Sequence, residues 1–225
     1  MRVSGLPTMT LPPRTPAPAP SLRLLGCPSL ESCPSLATAG DGDGLRTSTI
    51  DSVDASDLRG GRDHAMVLFA DRRGGRALLG VPNGLGWRYH YGVSVPGKGG
   101  GGDRWADAED ACREALRGPG GPGVEDAPLR PAGLMLFTFP NDGGGPMRVR
   151  VLECDVSSDP GARERYGGSW YDFCSVPYDK MWDDDRLWLP RLLDGPDASY
   201  FEGHFVFDGP PGPSSRVVDY KVEFR

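Results

Sequence analysis

The chain lacks the features that would tie it to a membrane, a nucleic-acid polymer or an oxidising compartment. No apolar run approaches the 18 or more residues that span a bilayer, so no transmembrane segment is expected. Positive charge is in deficit, with 25 Lys and Arg against 31 Asp and Glu and a net charge of −6. The basic residues form no patch, and a phosphate backbone has nothing to draw it in. Five cysteines, Cys27, Cys33, Cys112, Cys154 and Cys174, are odd in number and show no C-x-x-C spacing. That argues against a disulfide framework or a structural zinc site and favours a reducing compartment.

Glycine and proline are plentiful, at 33 and 23 residues, and they divide the chain. Residues 1–61 are rich in Pro, Ser, Thr and Gly without a periodic apolar pattern. Such a segment buries too little surface to offset its chain entropy, so a disordered leader is expected there. Arg2, Arg14 and Arg23 precede the first acid, Glu31. This bias suits an organellar transit peptide and equally a plain flexible leader in a cytoplasmic protein. Residues 62–225 are then one ordered domain, within the usual span of about 100–200 residues.

Periodicity within that domain predicts strands at residues 64–70, 76–81, 87–95, 134–139, 147–154, 169–175, 201–207 and 217–224, with helices over residues 104–117 and from about Asp183 onward. The mixture indicates an α/β fold. Alternation sets Met147, Val149 and Val151 on one face and Arg148 and Arg150 on the other, as exposed positions or as phosphate contacts. In the last strand Val218, Tyr220, Val222 and Phe224 are expected to point inward. His64 reads as a strand-edge residue and His204 as exposed. His90, between Tyr89 and Tyr91, reads as a surface strand residue or as part of a pocket wall.

On the wheel of helix 104–117, Trp105, Ala108, Cys112 and Leu116 form the apolar stripe, with Asp107, Asp110, Glu114 and Arg117 opposite. Those carboxylates are either a solvated face or the ligands of a metal ion. The densest chemistry lies in residues 176–190, where Trp182 precedes Asp183, Asp184 and Asp185, and Trp188 follows a turn later. One reading is an acidic helix start, with Asp183 as the cap and its neighbours against the positive dipole end. The other is a pocket for a planar, hydrogen-bonding ring. Two adjacent acids in a partly apolar site cannot both stay ionised, so one donates and the other accepts.

Met181-Trp182-Asp183-Asp184-Asp185, then Leu187-Trp188-Leu189-Pro190 and the aromatic run Tyr200, Phe201, Phe205 and Phe207, resemble the C-terminal third of the Nudix hydrolases that degrade oxidised purine nucleoside triphosphates. The resemblance implies a Nudix fold, a mixed sheet between helices. It assigns Trp182 to stacking on the base and Asp184 and Asp185 to reading its edge, with Asp183 where the family has Pro. The family's signature is Gly, five residues, Glu, seven residues, Arg-Glu, two residues, Glu-Glu, one residue, Gly. Gly97 and Lys98 stand at its opening, Arg113-Glu114 match its Arg-Glu, and Asp103 stands near its first Glu. Arg113 would then orient a glutamate, Glu114 would be catalytic, and Glu114, Asp110 and Asp103 would hold Mg²⁺ or Mn²⁺. Arg117 and Gly118 occupy the positions of the two metal-binding Glu, and a fixed guanidinium beside a divalent ion opposes its binding. The implied activity is hydrolysis of an oxidised purine nucleoside triphosphate to the monophosphate and pyrophosphate by a monomer. The alternative is a protein that keeps the base pocket and binds nucleotides without hydrolysis.

Overall fold

The computed structural model describes residues 61–83, 85–96, 104–117, 128–140, 143, 145–195 and 199–225. The leader expected over residues 1–61 lies, but for its last residue, outside them, as do Gly97, Lys98, Asp103 and Gly118.

Eight strands form one mixed sheet: β1 (Arg62–Asp71), β2 (Arg76–Leu79), β3 (Tyr91–Ser94), β4 (Leu129–Thr138), β5 (Met147–Asp155), β6 (Ser169–Asp172), β7 (Phe201–Phe207) and β8 (Val217–Phe224). Their order is β6-β2-β1-β5-β4-β7-β8, with β3 also on β1. β1 is long enough to pair twice along one side, taking β3 on His64 to Val67 and β2 on Phe69 to Asp71. The β1–β5 and β4–β7 pairs are parallel and the rest antiparallel.

Because side chains alternate across a strand, β1 supplies both cores. Ala65, Val67 and Phe69 pack with Ala108, Cys112 and Leu116 of α1 (Arg104–Arg117). Met66 and Leu68 pack on the other face with Trp188, Leu189, Leu192 and Leu193 of α3 (Asp185–Asp194). The expected mixed sheet between helices is what forms. A short α2 (Ala162–Tyr166), which the periodicity did not indicate, joins β5 to β6. Among the described residues no helix is long and apolar enough to cross a membrane. Cys112 is a core residue as expected, its thiol pushed up to about 12 by burial.

Several expectations need correction. The strand expected over 87–95 is only Tyr91–Ser94, because residues 83–90 form a loop whose backbone groups are taken by the Asn83 side chain. β4 begins at Leu129, earlier than expected, and β6 gives way to a 3-10 turn at Phe173–Ser175. Arg148 and Arg150 are buried, each 3.2 Å from Asp63 Oδ1, so they are neither exposed nor open to phosphate from solvent. His64 is on an interior strand, half-buried with its ring edge-on to Trp87. His204 is half-buried 3.0 Å from Thr138 Oγ1, and burial holds its imidazole below the usual histidine range. In β8, Val222 and Phe224 pack inward, but Val218 and Tyr220 are exposed. The register shifts where β7 meets Val217, and β8 is the last strand of the sheet, so no described strand covers them.

Candidate functional site

A cavity of about 310 Å³ lies on the α3 face of the sheet. Its floor is apolar, made by Met66 of β1, Met135 and Phe137 of β4, and Met147 and Val149 of β5. Residues 86–90 form one wall, and Met181, Trp182, Asp184 and Asp185 form another. Gly212 and Pro213, from the loop between β7 and β8, stand at the side.

The aromatic wall is braced from behind. Trp182 meets Phe137, Phe139 and Phe207 at ring-centroid distances of 6.0, 6.2 and 6.1 Å, mostly edge to face. Trp87 lies 6.4 Å from Trp182. Gly92 makes room for it, since a Cβ there would collide with the Trp87 indole. The loop carrying Trp87 and His90 is held by Asn83, whose amide nitrogen donates to the carbonyls of Val81, Trp87 and His90 while its oxygen accepts from the Leu85 and Trp87 amides.

Each of the three acids has a different task. Asp183 leaves the helix start altogether: its carboxylate accepts the Val217 amide at 2.9 Å and meets Arg186 and Arg216, anchoring the loop that carries Gly212 and Pro213. Asp184 is buried, and its Oδ2 accepts the indole N–H of Trp188 at 3.0 Å. Its Oδ1 is buried with no partner among the described residues. Burial first, and the Asp185 carboxylate second, push the Asp184 carboxyl well above the usual carboxylate range. Asp185 accepts the Trp182 amide at 3.1 Å on one oxygen, and His90 Nε2 lies 2.7 Å from the other. Asp183 is therefore not the helix cap expected of an acidic helix start, and Asp184 at the N-cap makes no side-chain cap bond. Trp188, 0 % exposed, stacks on Phe201 at 4.9 Å and fixes the helix that presents the pair.

The chemistry expected of α1 is not brought together. α1 packs on the opposite face of the sheet from the cavity core, and Asp110 and Glu114 are exposed. Arg113 donates to Glu109 one turn back, at 2.7 and 3.0 Å, so the glutamate it orients is Glu109. Among the described residues no three of His, Cys, Asp and Glu converge as metal ligands. The donor set of α1 therefore does not fit the divalent ion that the resemblance implies.

No family model matches the chain. It is 29% identical over 159 residues to the zebrafish (Danio rerio) oxidized purine nucleoside triphosphate hydrolase, covering 66% of this chain and 87% of that protein. The mouse (Mus musculus) protein of the same name is 30% identical over 102 residues, covering 44% and 60%. The resemblance to the oxidised purine nucleoside triphosphate hydrolases holds. A crystal structure of a MutT protein from Bacillus halodurans aligns over 72% of this chain and 97% of that one, with 12% identity and a TM-score of 0.43.

Trp182, Asp184 and Asp185 thus converge on one cavity in a chain related by sequence to those hydrolases. The resemblance did not point to Trp87, His90 or Asn83. An Asn-Gly pair at 83–84 is a turn signal that breaks a strand, and taken at face value it would have detached residues 85–90 from β3 and made them a wall.

Proposed function

We propose that the protein is a Nudix-type hydrolase that holds an oxidised purine nucleoside triphosphate, such as 8-oxo-dGTP, by its base in the cavity. It would add water across the phosphoanhydride between the α and β phosphates, releasing the monophosphate and pyrophosphate. One observation carries the recognition half: the Trp182 ring and the Asp184–Asp185 pair share the wall of a cavity of about 310 Å³. That volume is at the lower end of small-ligand sites, roughly 300–1,000 Å³. It suits a base better than a whole nucleotide. An indole face adds stacking of about 1–3 kcal/mol per base, and a protonated acid beside an ionised one presents a donor next to an acceptor.

The hydrolytic half rests on the sequence relatives. Mg²⁺ or Mn²⁺ is the cofactor that the resemblance implies, but the described carboxylates of α1 do not fit it, so no step is routed through the ion. Arg117 at a position where the family has a metal-binding Glu favours a second reading, in which the protein binds the nucleotide without cleaving it.

Pyrophosphate release from 8-oxo-dGTP with Mg²⁺, measured beside calorimetric binding of the same nucleotide, separates the two. Release above the uncatalysed background supports the hydrolase. Binding without release supports the second reading, and absence of both removes the base-site assignment. Trp182→Ala is expected to weaken binding by about 1–3 kcal/mol, roughly 5- to 150-fold.

A further inference from the structure

His90 belongs to no motif of the chain, yet its imidazole touches the acid pair. Nε2 is 2.7 Å from Asp185 Oδ1, the ring lies 6.0 Å from Trp188, and the residue lines the cavity. The two acids are unequally supplied with donors. Asp185 has a donor on each oxygen, the Trp182 amide on one and His90 on the other, whereas Asp184, which meets the Trp188 indole and its own backbone amide, keeps a buried oxygen without a partner among the described residues. Two neighbouring buried carboxyls share one proton, and it settles on the acid that has an oxygen without a donor.

We infer, on the footing of the base-binding reading above, that His90 is a specificity-determining residue: by donating Nε2–H to Asp185 it keeps the shared proton on Asp184, so the cavity selects a 6-oxo, guanine-type purine edge over a 6-amino, adenine-type one. A guanine-type edge presents O6 as an acceptor beside N1–H and N2–H as donors. The Asp184 hydroxyl donates to O6. The Asp185 carboxylate retains a lone pair on each oxygen for the two N–H groups, the paired geometry in which charge-assisted hydrogen bonds are strongest. An adenine-type edge offers N6–H and an acceptor N1, with no second donor beside them, and so loses one charge-assisted bond. Without His90 the proton is free to sit on either acid, and the same cavity takes either edge.

The test is calorimetric binding of 8-oxo-dGMP and 8-oxo-dAMP at pH 7 to the full chain, as wild type, His90→Leu and His90→Gln. Wild type is expected to favour 8-oxo-dGMP by at least about tenfold, the worth of one hydrogen bond to a charged group. His90→Leu should bring the two affinities to within about threefold, and His90→Gln, which returns an N–H donor, should restore most of the preference. That rescue separates proton placement from simple packing. A preference unchanged in a folded His90→Leu protein, or absent from wild type that still binds both, overturns the role of His90 and leaves the base site standing. Wild type that binds neither nucleotide overturns the base site itself. Should His90→Leu fail to fold, His90→Asn replaces it, since its N–H is too short to span to Asp185, and the same loss of preference is expected.

Discussion

The two faces of the sheet are made by the same strands and hold opposite kinds of chemistry. On the α3 face, Asp183, Asp184 and Asp185 are all buried, each with its own set of donors, and two of them border a cavity. On the α1 face no carboxylate of the helix is buried, and Asp110 and Glu114 are exposed. An acid is buried in this fold where neighbouring elements converge on it from several directions. α3 is met by residues 85–90, by the β7–β8 loop and by the sheet, whereas Asp110 and Glu114 of α1 stand in solvent. A resemblance that drew on both regions, and more on residues 176–225 than on residues 99–123, is thus carried in three dimensions by the first of them.

Breaking the better-built face should cost most. Trp188→Ala removes a fully buried indole that stacks on Phe201 and bonds Asp184, and a loss of about 3–5 kcal/mol is expected in urea unfolding. A loss under about 1 kcal/mol would mean that α3 is not packed as described, and the contrast between the faces would lapse.

The acid pair sharpens the comparison through pH. Folded Asp184 keeps its proton to higher pH than an unfolded Asp, whose value is about 3.9, so unfolding releases a proton above that pH. Its contribution to stability is therefore greatest at or below about pH 4, falls as the pH rises, and levels off only above the folded value. Asp184→Asn keeps an acceptor for the Trp188 indole and removes the titration. Its stability relative to wild type should rise between pH 5 and pH 8, read from urea midpoints at the two values. A constant difference would show Asp184 to be ionised in the fold.

On the α1 face little should happen. Glu114→Gln is expected to change stability by no more than about 0.5 kcal/mol, as for an exposed site, and to leave the Mg²⁺ dependence of any turnover where it was. A raised Mg²⁺ requirement would make this face a metal site and erase the contrast.

The strand pattern of β7 was legible residue for residue, because period-two alternation of Phe201, Phe205 and Phe207 needs only a local rule, whereas in β8 the same rule held for Val222 and Phe224 and failed for Val218 and Tyr220. The same rule misplaced Arg148 and Arg150, since alternation says that they face away from Met147 and Val149 but not that α1 covers that face and Asp63 meets them there. It also missed the 83–90 loop, where one asparagine side chain takes the place of strand pairing. In the site, Trp182, Asp184 and Asp185 were legible because they are contiguous and stand in a recognisable order. Asn83 and Trp87 were not, and His90 was only one of two readings, a pocket wall or a surface strand, because they lie some 90 to 100 positions away along the chain.

By itself the sequence determined the α/β class, both helices that cover the sheet, the apolar stripe of α1 and the aromatic and acidic wall of the cavity, all of which follow from short-range spacing. The tertiary structure alone decided which partners each acid would meet: the Trp188 indole for Asp184, the His90 ring and the Trp182 amide for Asp185, and the Val217 amide with two arginines for Asp183. Three adjacent aspartates are chemically identical until other elements bring an indole, an imidazole and backbone amides to each in turn, and those partners come from distant parts of the chain.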